Sequence, residues 1–130
     1  MLIGFSLCAL MACSSPESEI KDLPEEIVIG DTVYVDGVYS ARGEYGGLPS
    51  HITVTVTLTS AIVSNTQVQT HATDPTSLDL QRRFAAAVPE VVNGKHISQV
   101  RVGRLAGSSG TPVGFNDAIR QIKQQAAKVD

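Results

Sequence analysis

The sequence predicts an α+β fold: one domain in which a mainly antiparallel sheet carries two helices on one face. Three observations lead there. His51 to Thr59 alternates strictly, with Ile52, Val54, Val56 and Leu58 on one side and Thr53, Thr55, Thr57 and Thr59 on the other. That is the pattern of a strand with one face on a core and one face wet. Leu78, Phe84, Ala85 and Val88 then recur at helical spacing, and Phe115, Ala118, Ile119, Ile122 and Ala126 form a second helical stripe that leaves Arg120, Lys123 and Lys128 for solvent. At 130 residues the chain is long enough for one core.

Taken in order, residues 1–12 are apolar and too short to span a bilayer. They end in Leu10-Met11-Ala12-Cys13, which resembles the lipobox of bacterial lipoproteins. The resemblance implies a signal peptide over residues 1–12, removal of that segment, and diacylation of Cys13 as the new N-terminus. It also implies a domain lipid-anchored to the bacterial cell membrane on the extracytoplasmic side. Residues 13–31 carry Pro16, Pro24 and several acidic residues among few apolar ones, the composition of a polar tether.

The folded part is expected from about Thr32 to the end. Asp36-Gly37 between Val33, Val35 and Tyr39 signals a hairpin or a sharp bend. Arg42 to Ser50, with Gly43, Gly46, Gly47 and Pro49, reads as a loop. After the His51–Thr59 strand, Ser60 turns the chain into Ala61–Thr70, a partner strand whose weaker alternation suggests a bulge or an edge position. Asp74 or Ser77 caps the following helix, which Pro89 bends or interrupts and Asn93-Gly94 stops. Gln99–Val102 reads as a short strand delivering the chain into a Gly/Ser loop.

That loop, Leu105-Ala106-Gly107-Ser108-Ser109-Gly110-Thr111-Pro112, carries the candidate chemistry. Thr111-Pro112 reads as a helix N-cap followed by proline at the first helical position. Gly107 to Gly110 have almost no bulk, so a ligand can approach the backbone. Free N–H groups and the helix dipole favour a phosphate there. Gly/Ser-rich helix entries that bind nothing are also common.

Leu105-x-Gly107-x-Ser109-x-Thr111, followed by Gly114-Phe115-Asn116-Asp117-Ala118-Ile119, resembles the C-terminal signature of the small FMN-binding domain family of extracytoplasmic bacterial flavoproteins. In that family an Asp is followed closely by Ser-Gly-Ala-Thr, and the Thr can carry FMN through a phosphoester bond. Ser109 falls on that Thr, Ser108 on the Ala, Gly107 on the Gly and Ala106 on the Ser. Two departures stand out: Gly103 where the family has Asp, and Ser109 where it has Thr. Serine forms the same ester. His71, with Asp74-Pro75, resembles the family's His and Glu-Thr-Pro-like turn beside the flavin.

The resemblance covers residues 36–127. It implies an FMN-binding domain over residues 32–130, with Gly107, Ser108, Ser109, Gly110, Thr111 and His71 around the cofactor. It further implies a flavin transferase and redox proteins as partners, and a redox carrier rather than an independent enzyme. Three other readings stay open beside the one the resemblance implies. They are non-covalent FMN, a ligand-free surface lipoprotein acting as an interaction module, and a flavin-dependent reductase needing a partner chain. Net charge is −3, so no nucleic-acid footprint is present. No HExxH, CxxC, nucleophile–base pair or paired carboxylates support hydrolysis or metal catalysis.

Overall fold

The computed structural model describes residues 32–46 and 50–128; the expected leader, the lipidation cysteine Cys13 and the tether lie outside the described residues. Three strands, β1 (Gly37–Tyr45), β2 (Ser50–Thr59) and β3 (Ile62–Thr70), form one antiparallel sheet in the order β1-β2-β3. Helix α1 (Pro75–Val92), a short 3₁₀ turn (Ile97–Gln99) and helix α2 (Thr111–Ala126) follow. The architecture is the α+β arrangement expected from the sequence.

β2 is the central strand, and its alternation is realised residue by residue: Ile52, Val54, Val56 and Leu58 are buried while its threonines are at most half-buried. The buried row meets Phe84, Val88 and Val92 of α1 and Phe115, Ala118, Ile119, Ile122 and Ala126 of α2 in one apolar cluster. Phe84 and Phe115 join the two helices edge to face, ring centroids 5.6 Å apart at 61°. Ser60 and Ala61, both at positive φ (53° and 67°), make the two-residue turn between β2 and β3. That backbone matches strand twist and is a conformation few non-glycine residues adopt. The register shifts between Thr57 and Leu58, and β3 lies at the sheet edge, which accounts for its poorer alternation.

Several expectations are corrected. Asp36-Gly37 makes no hairpin: Gly37 opens β1 in extended backbone, and the Asp36 carboxylate accepts from the Ser60 N–H at 2.8 Å. Residues 33–35 instead run beside the end of α2, with Val35 N–H donating to the Ala126 carbonyl and Lys128 N–H to the Val33 carbonyl. Arg42–Tyr45 is strand, not loop, because β2 offers it an unbroken antiparallel partner. α1 continues through Pro89 to Val92. Proline forfeits one hydrogen bond there, and burial of Val88 and Val92 on either side sustains the helix. Residues Val100–Val102 form no strand. They are held by Asn116, whose side-chain amide accepts from Val102 N–H and donates to Val102 C=O, taking the place of a neighbouring strand.

The position of α2 is set by two glycines. A Cβ placed on Gly43 of β1 would lie 1.8 Å from the carbonyl oxygen of Gly114, so helix and strand backbones touch with no room for a side chain. The Tyr45 ring, two residues on, lies across Gly110 and Gly114, where added Cβ atoms would come within 3.2 and 2.7 Å of it. This contact anchors the first turn of α2, and with it the preceding loop.

Candidate functional site

The Gly/Ser loop is built around a tight reversal. Leu105 and Ser108 exchange backbone hydrogen bonds at 3.0 and 2.9 Å, and the two residues between them, Ala106 (φ 54°) and Gly107 (φ 81°), are left-handed. Glycine takes that conformation freely; alanine takes it at a cost of roughly 1–2 kcal/mol. The chain then passes through Ser109 and Gly110 into α2.

The three hydroxyls of the loop separate cleanly. Ser108 is buried; its Oγ accepts from the Thr111 N–H at 3.1 Å and donates to Thr111 Oγ1 at 2.8 Å. Thr111 is buried as well and donates onward to the Tyr45 hydroxyl at 3.4 Å. Ser109 is exposed. The expected cap is therefore corrected: Thr111 is the first helical residue rather than the cap, and Ser108 satisfies the N–H that would otherwise be orphaned. Among the described residues no acceptor meets the backbone N–H groups of Gly107, Ser109 or Gly110. Gly107–Thr111 line a cavity of about 200 Å³ together with Tyr45, Ser77 and Leu80.

A second cleft, about 490 Å³, adjoins it through Ser77 and is lined by Ser50, His51, His71, Ala72, Thr73 and Asp74. Asp74 caps α1 by accepting from Ser77 N–H at 3.0 Å, as the sequence suggested, and this fixes the corner shared by both cavities. His71 is half-buried, its Nε2 2.9 Å from Thr53 Oγ1 and its ring stacked on His51 with centroids 4.4 Å apart. Burial and then the Arg42 and His71 charges lower the pKa of His51, opposed by Glu44. The structure thus brings His71 and the Gly107–Thr111 loop to the same end of the domain.

The residue that joins them went unseen in the sequence. Gln81 lies on the α1 stripe at an apolar position and is fully buried. Its Oε1 accepts from the His71 and Ala72 N–H groups at 2.9 and 3.0 Å, while its Nε2 donates to the Tyr45 hydroxyl at 2.8 Å and the His51 carbonyl at 3.1 Å. All four hydrogen-bonding positions of the amide are filled. A hydrogen-bonded path therefore runs from the His71 turn through Gln81 and Tyr45 to Thr111 and Ser108. The available signal was a lone Gln three residues before Phe84 on a stripe otherwise apolar, which by itself does not name a partner.

Among the described residues no group of three or more His, Cys, Asp or Glu side chains could hold a metal ion, and no helix is long and apolar enough to cross a membrane. The loop presents backbone N–H groups, an exposed hydroxyl and a helix N-terminus, groups that suit an anion better than a cation. Comparison with family models, curated proteins and solved structures finds no match to this chain.

Proposed function

We propose that this chain is a membrane-tethered extracytoplasmic FMN-binding electron carrier, with FMN esterified to Ser109. The observation that carries the reading is the separation of the hydroxyls: Ser108 and Thr111 are buried in mutual hydrogen bonds, while Ser109 stands exposed at a cavity where the Gly107, Ser109 and Gly110 N–H groups meet no acceptor among the described residues. A phosphate fits that donor set. The N–H groups of Gly107, Ser109 and Gly110 would hold it, and the adjoining cleft beside His51 and His71 lies in the volume range of small-molecule sites. FMN, when bound, supplies the redox chemistry. The protein fixes its phosphate and presents His71 at the neighbouring cleft. Diacylated Cys13 would keep the carrier at the membrane, since two acyl chains give stable attachment where one is marginal.

Intact-mass analysis of the chain co-produced with a flavin transferase and its flavin source tests the reading. Esterification joins Ser109 Oγ to the flavin phosphorus as the pyrophosphate bond of a flavin dinucleotide breaks; the nucleoside monophosphate leaves with the serine proton, and the chain gains FMN less one water. The gain should persist in Ser108→Ala and vanish in Ser109→Ala. Gly103, the position of the family's Asp, has nothing within 4 Å of an added Cβ, so Gly103→Asp should fold normally and raise the esterified fraction. A gain that survives Ser109→Ala moves the site. A wild type that stays colourless and unmodified favours the ligand-free interaction module.

A further inference from the structure

The hydroxyl of Tyr45 is oriented by its neighbours. Gln81 Oε1 accepts from two backbone N–H groups, which fixes the amide so that Nε2 faces Tyr45. An amide NH₂ only donates, so the phenol oxygen is the acceptor at 2.8 Å. Ser108 donates to Thr111 Oγ1, and the Thr111 proton in turn goes to the same phenol oxygen at 3.4 Å. Tyr45 Oη thus accepts twice, and among the described residues nothing accepts its own proton. Tyr45 also lines the 200 Å³ cavity with Gly107–Thr111. An O–H donor at a half-buried site calls for an acceptor.

We propose that Tyr45 is a binding residue of this cavity, its O–H donating to an oxygen of a ligand phosphoryl group held against Gly107–Thr111. The inference rests on the reading of the loop as a phosphate site and names the residue that discriminates the phosphorylated ligand from its alcohol. A hydrogen bond between a neutral hydroxyl and a charged oxygen contributes more than a neutral pair. Its loss weakens binding by about 10- to 100-fold. The phenol belongs to β1, whereas the loop N–H groups precede α2, so the ligand would be gripped from two elements that meet at Gly43 and Gly114.

The experiment titrates the full chain with FMN, with riboflavin and with inorganic phosphate, following flavin fluorescence and the amide resonances of residues 107–111. Tyr45→Phe keeps the ring against Gly110 and Gly114 and removes only the hydroxyl. It should weaken FMN and inorganic phosphate by about 10- to 100-fold while leaving riboflavin within about twofold. Gln81→Met is the second variant: it removes the hydrogen bond to Tyr45 from the other side, also strips the His71 and Ala72 N–H groups of their acceptor, and should retain the preference for FMN over riboflavin. Loss of that preference in Gln81→Met to the same degree as in Tyr45→Phe makes the effect structural and overturns the proposal. Unchanged FMN affinity in Tyr45→Phe overturns it too, and leaves the flavin reading standing. Tyr45-dependent phosphate binding in a wild type that neither binds FMN nor gains its mass beside the transferase upholds the role of Tyr45 and overturns the flavin reading. Absence of phosphate and flavin binding in wild type overturns the proposal for Tyr45, and absence of the mass gain beside the transferase overturns the flavin reading as well.

Discussion

Gly43→Ala should be the most damaging single methyl in the sheet. The new Cβ would lie 1.8 Å from the Gly114 carbonyl oxygen and 2.6 Å from its carbon, and even a 3.0 Å contact requires β1 and α2 to part by about 1.2 Å (3.0 − 1.8). The obstacle is main chain at both ends, so no rotamer change relieves it. Overpacking a core ordinarily costs about 1–3 kcal/mol, and a backbone obstacle puts this case at ~3 kcal/mol or above. For a domain of this size that lowers the melting temperature by about 12–24 °C. Gly114→Ala pits opposite effects against each other. It gains about 1 kcal/mol of helix propensity and meets the Tyr45 ring at 2.7 Å, where a side chain can yield; its net loss should be smaller. Gly103→Ala has open space around it and should stay within about 0.5 kcal/mol of wild type. The assay is thermal and urea unfolding followed by circular dichroism. A Gly43→Ala melting point within ~3 °C of wild type, under 1 kcal/mol, would refute the close approach of β1 and α2. The seating of Tyr45 on α2 would fall with it.

The remaining predictions follow from the site. Ser108→Ala removes the group that satisfies Thr111 N–H and should cost about 1–2 kcal/mol, whereas exposed Ser109→Ala should change stability by less than about 0.5 kcal/mol; equal losses in urea unfolding would contradict the assignment of the two hydroxyls. An NMR titration should place the His51 midpoint below the ordinary value of 6.5, and both Arg42→Gln and His71→Gln should raise it, Arg42→Gln by more. Because the folded protein holds His51 neutral where the unfolded chain already binds a proton, this group's contribution to stability is present above pH 6.5 and is lost as pH falls through the lower folded value. A midpoint at or above 6.5, or stability that rises on acidification through this window with His51 intact and falls once it is replaced by Gln, would contradict that environment.

The sequence by itself determined the α+β class, the strand at β2, both helices and the apolar stripe of α2, and narrowed the α1 cap to Asp74 or Ser77, because each is written in a local period or a local cap. It also singled out Gly107–Thr111 and His71, from loop composition and from resemblance. What it misplaced depended on neighbours far along the chain. Arg42–Tyr45 looks like a glycine-rich loop until β2 pairs with it, and Val100–Val102 looks like a strand until Asn116 supplies the bonds a strand would make. Ser108 rather than Thr111 supplies the capping hydroxyl at the helix entry because the turn at Ala106-Gly107 aims Ser108 inward. Gln81 and Tyr45 lie 36 residues apart and have no period in common. Only the tertiary structure brings them together, since a buried amide must fill four hydrogen bonds and its partners come from β1, the start of β2 and the turn after β3. Periodicity tells which face of an element is buried; which polar groups then meet on the buried side is decided by how the faces are stacked.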